Sequence, residues 1–330
     1  MNLILCSTPL QLKIAIRIIE EKRLNRVTVL FTGIMPNKRN SFYLDKIEKI
    51  SDHLYLFDKD KELTKSGSYY LNSRAKKLVD ELKLHDVQNI YLANLNQRFY
   101  HHLLSVIKYQ NLYTFDDGTE NVNSHSHFYR YKKYSAFRRL FQSLFGRRYW
   151  MDDVLKTTKN HYTIYNKIPN VVERTTFIPL YQDIREDAKG DISDNQLLQQ
   201  EEAREIKILV GSVYRDMVKE RKQAQELVEE LNRFLLNNPI DLYIPHPRDE
   251  ENYFESCKVL IPDQMVEEIV ISYLKSGYSV SLFGFGGSGQ LNLDSVENVK
   301  NYLFTSEYLS ERTLHGYQLF QSNCIKIPLH

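Results

Sequence analysis

The feature that most limits what this chain can fold into is an alternation. Short apolar runs of strand length are separated by amphipathic stretches of helix length; the pattern starts at the first residues, is broken once, and starts again. Asn2–Cys6 (NLILC) reads as a buried strand. Ser7-Thr8-Pro9 then supplies a hydroxyl cap and a proline for the first turn of a helix. In that helix Leu10, Ile14, Ala15 and Ile19 share one face. Strands are expected at 26–32, 54–57, 89–93 and 112–116, helices at 68–83 and 97–109, and a polar loop at 33–40. Strands alternating with helices over more than a hundred residues mean βαβ units and a parallel sheet.

The break is a polar stretch, 183–205, with Gly190 and a Gln/Glu run and little apolar periodicity. It reads as an interdomain connection, giving a first domain at 1–184, a linker at 185–205 and a second domain at 206–330. A chain of 330 residues is too long for one ordinary core, which agrees with two domains. After the break come a strand at 206–210, the turn Gly211-Ser212, a long helix at 216–236 and a strand at 242–244. A strand at 258–261, a helix at 262–275 and a strand at 278–285 follow, then a strand at 300–304, a helix at 313–321 and a last strand at 324–327. The fold class is α/β, two Rossmann-like domains of similar size facing a cleft, which matches the GT-B layout.

Composition narrows the function. A net charge of +2 argues against nucleic-acid binding through a basic surface. Cys6, Cys257 and Cys324 are far apart, so neither a metal-ligand spacing nor a disulfide framework is present, and a reducing compartment is expected. The run after Met1 is too short for a signal peptide or a membrane span, which points to a cytoplasmic protein.

Several stretches carry chemistry. In Tyr243-Ile244-Pro245-His246-Pro247-Arg248, proline biases the residue before it to an extended conformation. A strand therefore runs out into a loop with His246 just past its end, where α/β sheets bind ligands. A histidine beside a guanidinium suits an anionic leaving group; the plain alternative is a rigid surface loop. The glycine cluster 284–289 (GFGGSG) follows a strand, so that backbone N–H groups at Gly287 and the hydroxyl of Ser288 can approach a phosphate. Gly284, Gly286 and Gly289 fit a G-x-G-x-x-G spacing, but 290–294 reads as irregular rather than helical. Glu267 and Glu268 lie early in a helix, either complementing its dipole or clamping a ribose. Asp116-Asp117-Gly118 ends a strand; Gly118 suits a turn, and the adjacent acids point different ways, so that one can face a ligand. Asp216, after Gly211-Ser212-Val213-Tyr214-Arg215, is either the N-terminal acid of the long helix or a general base. Finally, 137–145 is an amphipathic helix bordered by Arg138, Arg139, Arg147 and Arg148. One reading is contact with an anionic membrane surface through 137–150. The other is a stripe packed on the domain or on a partner subunit, with the arginines solvated.

Taken together these stretches resemble glycosyltransferase family 52, the bacterial sialyltransferases of lipooligosaccharide and capsule synthesis. The likeness rests on Asn2–Cys6 with Leu10-Gln11-Leu12-Lys13-Ile14-Ala15, on Thr114-Phe115-Asp116-Asp117-Gly118-Thr119 and on His161-Tyr162-Thr163-Ile164. Ile208-Leu209-Val210-Gly211-Ser212 and Pro245-His246-Pro247-Arg248 complete it. The resemblance implies a GT-B fold and metal-independent, inverting transfer of sialic acid from CMP-sialic acid to a galactose-type acceptor, with no cofactor. It implies His246 as general acid toward the CMP phosphate, Arg248 near the phosphate or sugar carboxylate, Glu267 as the ribose acid and Ser288 near the nucleotide. The family's base is an aspartate shortly after the Gly-Ser of the second domain. Without gaps Tyr214 falls there, Asp216 is two residues late, and Asp117 or Asp116 is the fallback. Two other readings stay open, a GT-B transferase using another nucleotide sugar and a non-catalytic glycan-binding homologue. A homodimer is a further expectation; no nucleic-acid partner is.

Overall fold

The computed structural model describes residues 1–33, 38–65, 67–181, 204–246, 248, 254, 256–321 and 324–329. The chain divides into two compact units, Met1–Ile178 and Pro179–His330. Most of the linker expected at 185–205 lies outside the described residues, and Glu205 already opens a strand.

The first unit is built on a seven-stranded parallel sheet. Its strands are β1 (Asn2–Cys6), β2 (Val27–Phe31), β3 (His53–Leu56), β4 (Val87–Leu92), β5 (Tyr109–Phe115), β6 (Thr158–Thr163) and β7 (Thr175–Phe177). They lie in the order β3-β2-β1-β4-β5-β6-β7. Every residue of β1 and β2 is buried, as expected of central parallel strands covered on both faces. The helix Pro9–Lys22 begins as its sequence dictates: Thr8 is the extended N-cap and its hydroxyl accepts from the Gln11 amide, with Pro9 in the first turn. Five helices and strands of this unit went unread in the sequence: the helices Lys38–Glu48, Lys59–Glu62 and Met151–Thr157 and the strands β6 and β7. Strand β6 (TKNHYT) is polar but for Tyr162, and its buried His161 and Thr163 are held by hydrogen bonds rather than by an apolar pattern.

In the second unit the strands are β8 (Glu205–Val210), β9 (Leu242–Ile244), β10 (Lys258–Val259), β11 (Ser279–Gly284), β12 (Val299–Thr305) and β13 (Ile325–Pro328). Their order is β10-β9-β8-β11-β12-β13, again all parallel. Both sheets therefore reverse direction of winding once, between β1 and β4 and between β8 and β11. That switch point is where an open α/β sheet takes its ligand, beyond the carboxyl ends of the strands.

Three expectations are corrected here. The long helix expected at 216–236 is broken. A single turn, Tyr214–Met217, stops where Val218 becomes extended and bridges to Leu309, and the helix proper runs Ala224–Asn237. That bridge, with Lys219 N–H donating to the Tyr308 carbonyl, outweighs local helix propensity. Second, the glycine cluster is followed by a short helix, Ser288–Asn292, where irregular chain was expected. Third, the apolar stripe of the helix Ala136–Leu144 is not packed on its own domain, and its arginines are not all solvated. Phe137 is 79% and Leu144 76% exposed, whereas Arg139 pairs with both Asp152 and Asp153. Arg147 is buried, donating to the Gln142 side chain, the Tyr149 carbonyl and His101.

Candidate active site

The residues singled out in the sequence fall at the carboxyl ends of strands, in two groups, one per unit. In the second unit, β8 ends at Val210 and β9 at Ile244, and the two strands are neighbours. The loops that leave them are in direct contact. A Cβ on Gly211 would sit 2.7 Å from the His246 amide nitrogen and 2.9 Å from the Pro245 Cα, so only glycine fits. The Gly211 N–H donates to the Ile244 carbonyl at 2.8 Å. His246 is half-buried. Its Nδ1 accepts the backbone N–H of Arg248 at 3.1 Å. An Nδ1 that accepts leaves the proton of the neutral ring on Nε2, which fixes both tautomer and ring orientation. Arg248 is exposed, and its guanidinium lies 3.8 Å from the carboxylate of Asp216. Gly211 against the His246 backbone, His246 bonded to Arg248 and Arg248 near Asp216 make one constellation, with Ser212 buried beside Gly211.

Gly211→Ala is expected to push the two loops apart. Overpacking of this kind costs about 1–3 kcal/mol, and the variant should melt lower and lose turnover together. A variant with wild-type melting temperature and rate would show that the loops have room.

Strand β11 carries the second part of this group. Gly286 sits at φ +69, a left-handed conformation that favours glycine, and Gly287 is the extended N-cap of Ser288–Asn292. The loop is held by Gln290, which is fully buried. Its Oε1 accepts the Gly286 N–H at 3.0 Å, and its Nε2 donates to the Leu282 carbonyl at 3.2 Å. Gly289 has no room for a side chain because Val266 packs against it, a Cβ there meeting the valine Cγ1 at 2.4 Å. Val266 opens the helix Val266–Lys275, and Glu267 follows it in the first turn, buried, with Oε1 accepting from Asn292 Nδ2 at 2.8 Å. The structure thus brings Glu267 beside the glycine cluster, while Ser288 lies exposed at the helix start. Tyr214 is buried, its ring meeting Phe254 and Phe285 edge-on with centroids 6.0 Å away in each case. Where an ungapped reading puts the family's base, the structure holds a buried ring packed on Phe254 and on Phe285 of the glycine loop.

In the first unit the adjacent acids divide. Asp116 is wholly buried and saturated with donors: His161 Nε2 at 2.8 Å, the Thr163 hydroxyl and the Ile164 N–H at 2.7 Å, and Asn170 at 3.0 Å. It ties β5 to the strand and loop beside it, and so is neither a ligand contact nor a fallback base. Asp117 faces the other way, toward the first βα turn. Its carboxylate accepts from Gln11 Nε2 and, at 2.6 Å, from Asn94 Nδ2. Gln11 is buried on the otherwise apolar face of the first helix, with its Oε1 accepting the Ser7 N–H at 2.6 Å. Burial pushes the Asp117 carboxyl up to about 7, with the Glu120 carboxylate adding to the rise and the two amide donors opposing it. Gly118, at φ +71, makes the turn. Gln11, Asn94 and Gln290 were missed in the sequence. Gln11 had one signal, an amide on a helix face that otherwise carries apolar residues; Gln290 had none, since 290–294 reads as irregular.

The family model described as glycosyltransferase family 52 matches residues 25–307. The chain belongs to glycosyltransferase family 52. Among curated relatives, a protein of Haemophilus influenzae named N-acetyllactosaminide alpha-2,3-sialyltransferase is 28% identical over 306 residues, 91% of this chain and 90% of that protein. One of Pasteurella multocida named CMP-N-acetylneuraminate:beta-galactoside alpha-2,3-sialyltransferase is 26% identical, covering 81% of each. One of Neisseria meningitidis, an N-acetyllactosaminide alpha-2,3-sialyltransferase, is 24% identical over 94% of this chain and 80% of its own length. Among solved structures, TcCGT1 in complex with UDP matches 99% of this chain and 85% of its own at 11% identity, with a TM-score of 0.52. The spinosyn forosaminyltransferase SpnP matches 99% and 86% at 10% identity, with a TM-score of 0.50. At these identities the structural likeness speaks for the fold, and the two parallel Rossmann-type sheets of this family 52 chain are of the GT-B type. No helix among the described residues is long and apolar enough to cross a membrane.

Proposed function

We propose that this family 52 chain is a sialyltransferase, moving sialic acid with inversion from CMP-sialic acid to a galactose-type hydroxyl of a bacterial surface glycan. The observation that carries the reading is the constellation at the ends of β8 and β9. His246 presents an Nε2 proton, Arg248 lies beside it, and Asp216 lies 3.8 Å from that guanidinium. In the reaction the bond between the anomeric carbon and the phosphate oxygen breaks. His246 enters the reaction as imidazolium, with Nδ1 protonated in place of accepting the Arg248 N–H; it delivers its Nε2 proton to the departing phosphate oxygen and is left neutral, while Arg248 stabilises the charge that grows there. Asp216 accepts the proton of the acceptor hydroxyl as its oxygen bonds to the anomeric carbon from the opposite face. Glu267 accepts from the ribose hydroxyls, and Gly287 and Ser288 donate to the nucleotide at the start of their helix. Protein charge alone supports departure of CMP in this reading, so turnover should survive a chelator.

The names of the relatives support an α-2,3 linkage for this chain as well. The acceptor is read as a glycan precursor at the cytoplasmic face of the membrane, in keeping with a capsule or lipooligosaccharide product.

The test joins a binding and a turnover measurement. A ligand that binds only the folded state raises the melting temperature, by about 2.7 kcal/mol of stability at a hundred times its Kd. CMP should therefore raise it while UDP and GDP do not. CMP-sialic acid with lactose- and galactose-type acceptors should give a sialylated product whose linkage NMR identifies as 2,3. Stabilisation by UDP or GDP instead would assign another nucleotide sugar. CMP stabilisation with no release of CMP, with or without acceptor, would make the chain a binding homologue.

A further inference from the structure

We infer that the first unit binds an oxyanion, the phosphate or carboxylate group of a ligand, where the N-termini of the helices Ser68–Glu81 and Arg98–Val106 meet. These helices flank β4 in the chain, one leading into it and one leaving it. Because the strands are parallel, both helices start on the carboxyl side of the sheet, where α/β folds take ligands. Arg98 Nη2 donates to the Ser68 hydroxyl at 2.9 Å, so the first residues of the two helices touch. Neither N-cap, Gly67 or Gln97, bonds its helix through a side chain. Two helix dipoles therefore add positive potential at one place, and their first-turn N–H groups have no acceptor within the helix.

The side chains behind these ends carry the inference further. His102 lies one turn on from Arg98, on the same face of the helix, and is wholly buried. Helical side chains lean toward the N-terminus, which brings its ring toward Arg98. Its neighbour His101 has both ring nitrogens engaged: Arg147 Nη2 donates to Nδ1, and Nε2 donates to the Leu95 carbonyl, each at 2.9 Å. Among the described residues His102 has neither nitrogen engaged, and Arg98 Nε and the side-chain amide of Gln97 are also buried without a partner. Buried polar groups are as a rule bonded, so a cluster of unmet donors points to a ligand. Charge gives the ligand its sign. Arg147 is buried and donates to neutral acceptors, the Tyr149 carbonyl, the Gln142 side chain and His101. Among the described residues neither Arg98 nor Arg147 forms an ion pair; Arg74 takes Glu62, and Arg139 takes Asp152 and Asp153. Burial, with Arg147 and Arg98 adding to it, pushes His102 down to about 4, so it is a neutral imidazole with one N–H to give. An oxyanion accepts from Arg98 Nε, the His102 N–H and the first-turn amides, and its charge offsets the two arginines. None of these residues belongs to the β8–β9 constellation or the glycine loop, so the inference stands whichever sugar the enzyme transfers.

The test uses inorganic phosphate and acetate as probes on the full chain, with CMP present to fill the nucleotide site proposed in the second unit. Phosphate or acetate should raise the melting temperature of wild type more than sodium chloride of equal ionic strength does. A response to acetate as well as phosphate assigns a carboxylate-bearing ligand, and a response to phosphate alone a phosphorylated one. Arg98→Gln should bind the active probe about tenfold or more weakly, since a hydrogen bond to a charged group is lost. Ser68→Asp sets a carboxylate beside Arg98 in the first turn. It should melt at or above the wild-type temperature and no longer respond to either probe. CMP stabilisation, read separately in each variant, should be unchanged, which keeps a failure of the nucleotide reading apart from a failure of this one. An equal probe response in wild type and Arg98→Gln would overturn the inference. So would a wild-type response no larger than that to chloride, or a response that Ser68→Asp retains.

Discussion

His246→Asn is expected to lose turnover by about a hundred- to ten-thousandfold, the usual worth of a positioned general acid, while melting within a degree or two of wild type. The choice of asparagine follows from the geometry. The Nδ1 atom of His246 accepts the Arg248 N–H, and an asparagine oxygen can accept the same bond. The turn is kept and only the proton donor is removed. His246→Ala removes both; it should lose a similar factor in rate and lower the melting temperature slightly, since the ring is only half-buried. CMP should still stabilise both variants, because the contacts assigned to Glu267 and the glycine cluster are unchanged. Turnover near wild type in His246→Asn would remove the histidine from the mechanism. A loss of CMP stabilisation would mean that it binds rather than donates.

The second large effect concerns the base. Asp216→Asn is expected to lower kcat by about a hundredfold or more with CMP binding retained, because Asp216 shares its loops with the acid. Asp117→Asn should cost less and act mainly on the acceptor's KM. The pH profile distinguishes the two independently. Burial holds the Asp117 carboxyl at about 7, above the usual carboxylate range. A base must be ionised, so a reaction that used Asp117 would gain rate as pH rises through about 7 and lose it below. That acid limb in kcat/KM would vanish in Asp117→Asn. The expected result is that kcat/KM of Asp117→Asn keeps the wild-type limb. A vanished limb together with the larger loss of rate would move the role to Asp117. The same elevated carboxyl has a stability consequence. The unfolded chain ionises Asp117 near the ordinary value of about 3.9 and the folded chain only near 7. Its contribution therefore falls as pH rises from about 4 to 7, and Asp117→Asn should flatten that slope in a melting series.

What the sequence by itself determined is what local chemistry dictates. Apolar runs of strand length, the Thr8-Pro9 cap, the Asp-Gly turn at Gly118 and the extended bias before proline at His246 act over a few residues. They were legible without any contact, as were the α/β class and the resemblance in the Asp-Asp-Gly and Pro-His-Pro-Arg stretches. Where a distant partner outweighs local propensity, the reading failed. The helix at 216–236 breaks because Val218 finds Leu309, and β6 was missed because buried hydrogen bonds, not apolar side chains, hold it. Only the tertiary structure decided the roles of like residues. Asp116 and Asp117 are adjacent in the chain, yet the pleat turns one onto four donors in the core and the other toward Gln11, 106 positions away. Tyr214 and Asp216 are two residues apart, yet the ring of one is buried on Phe254 and Phe285 and the carboxylate of the other lies beside Arg248. The physical reason is the same in each case: a side chain's role depends on which strand lies next to its own, and strand order is set by packing the whole sheet rather than by any segment of it.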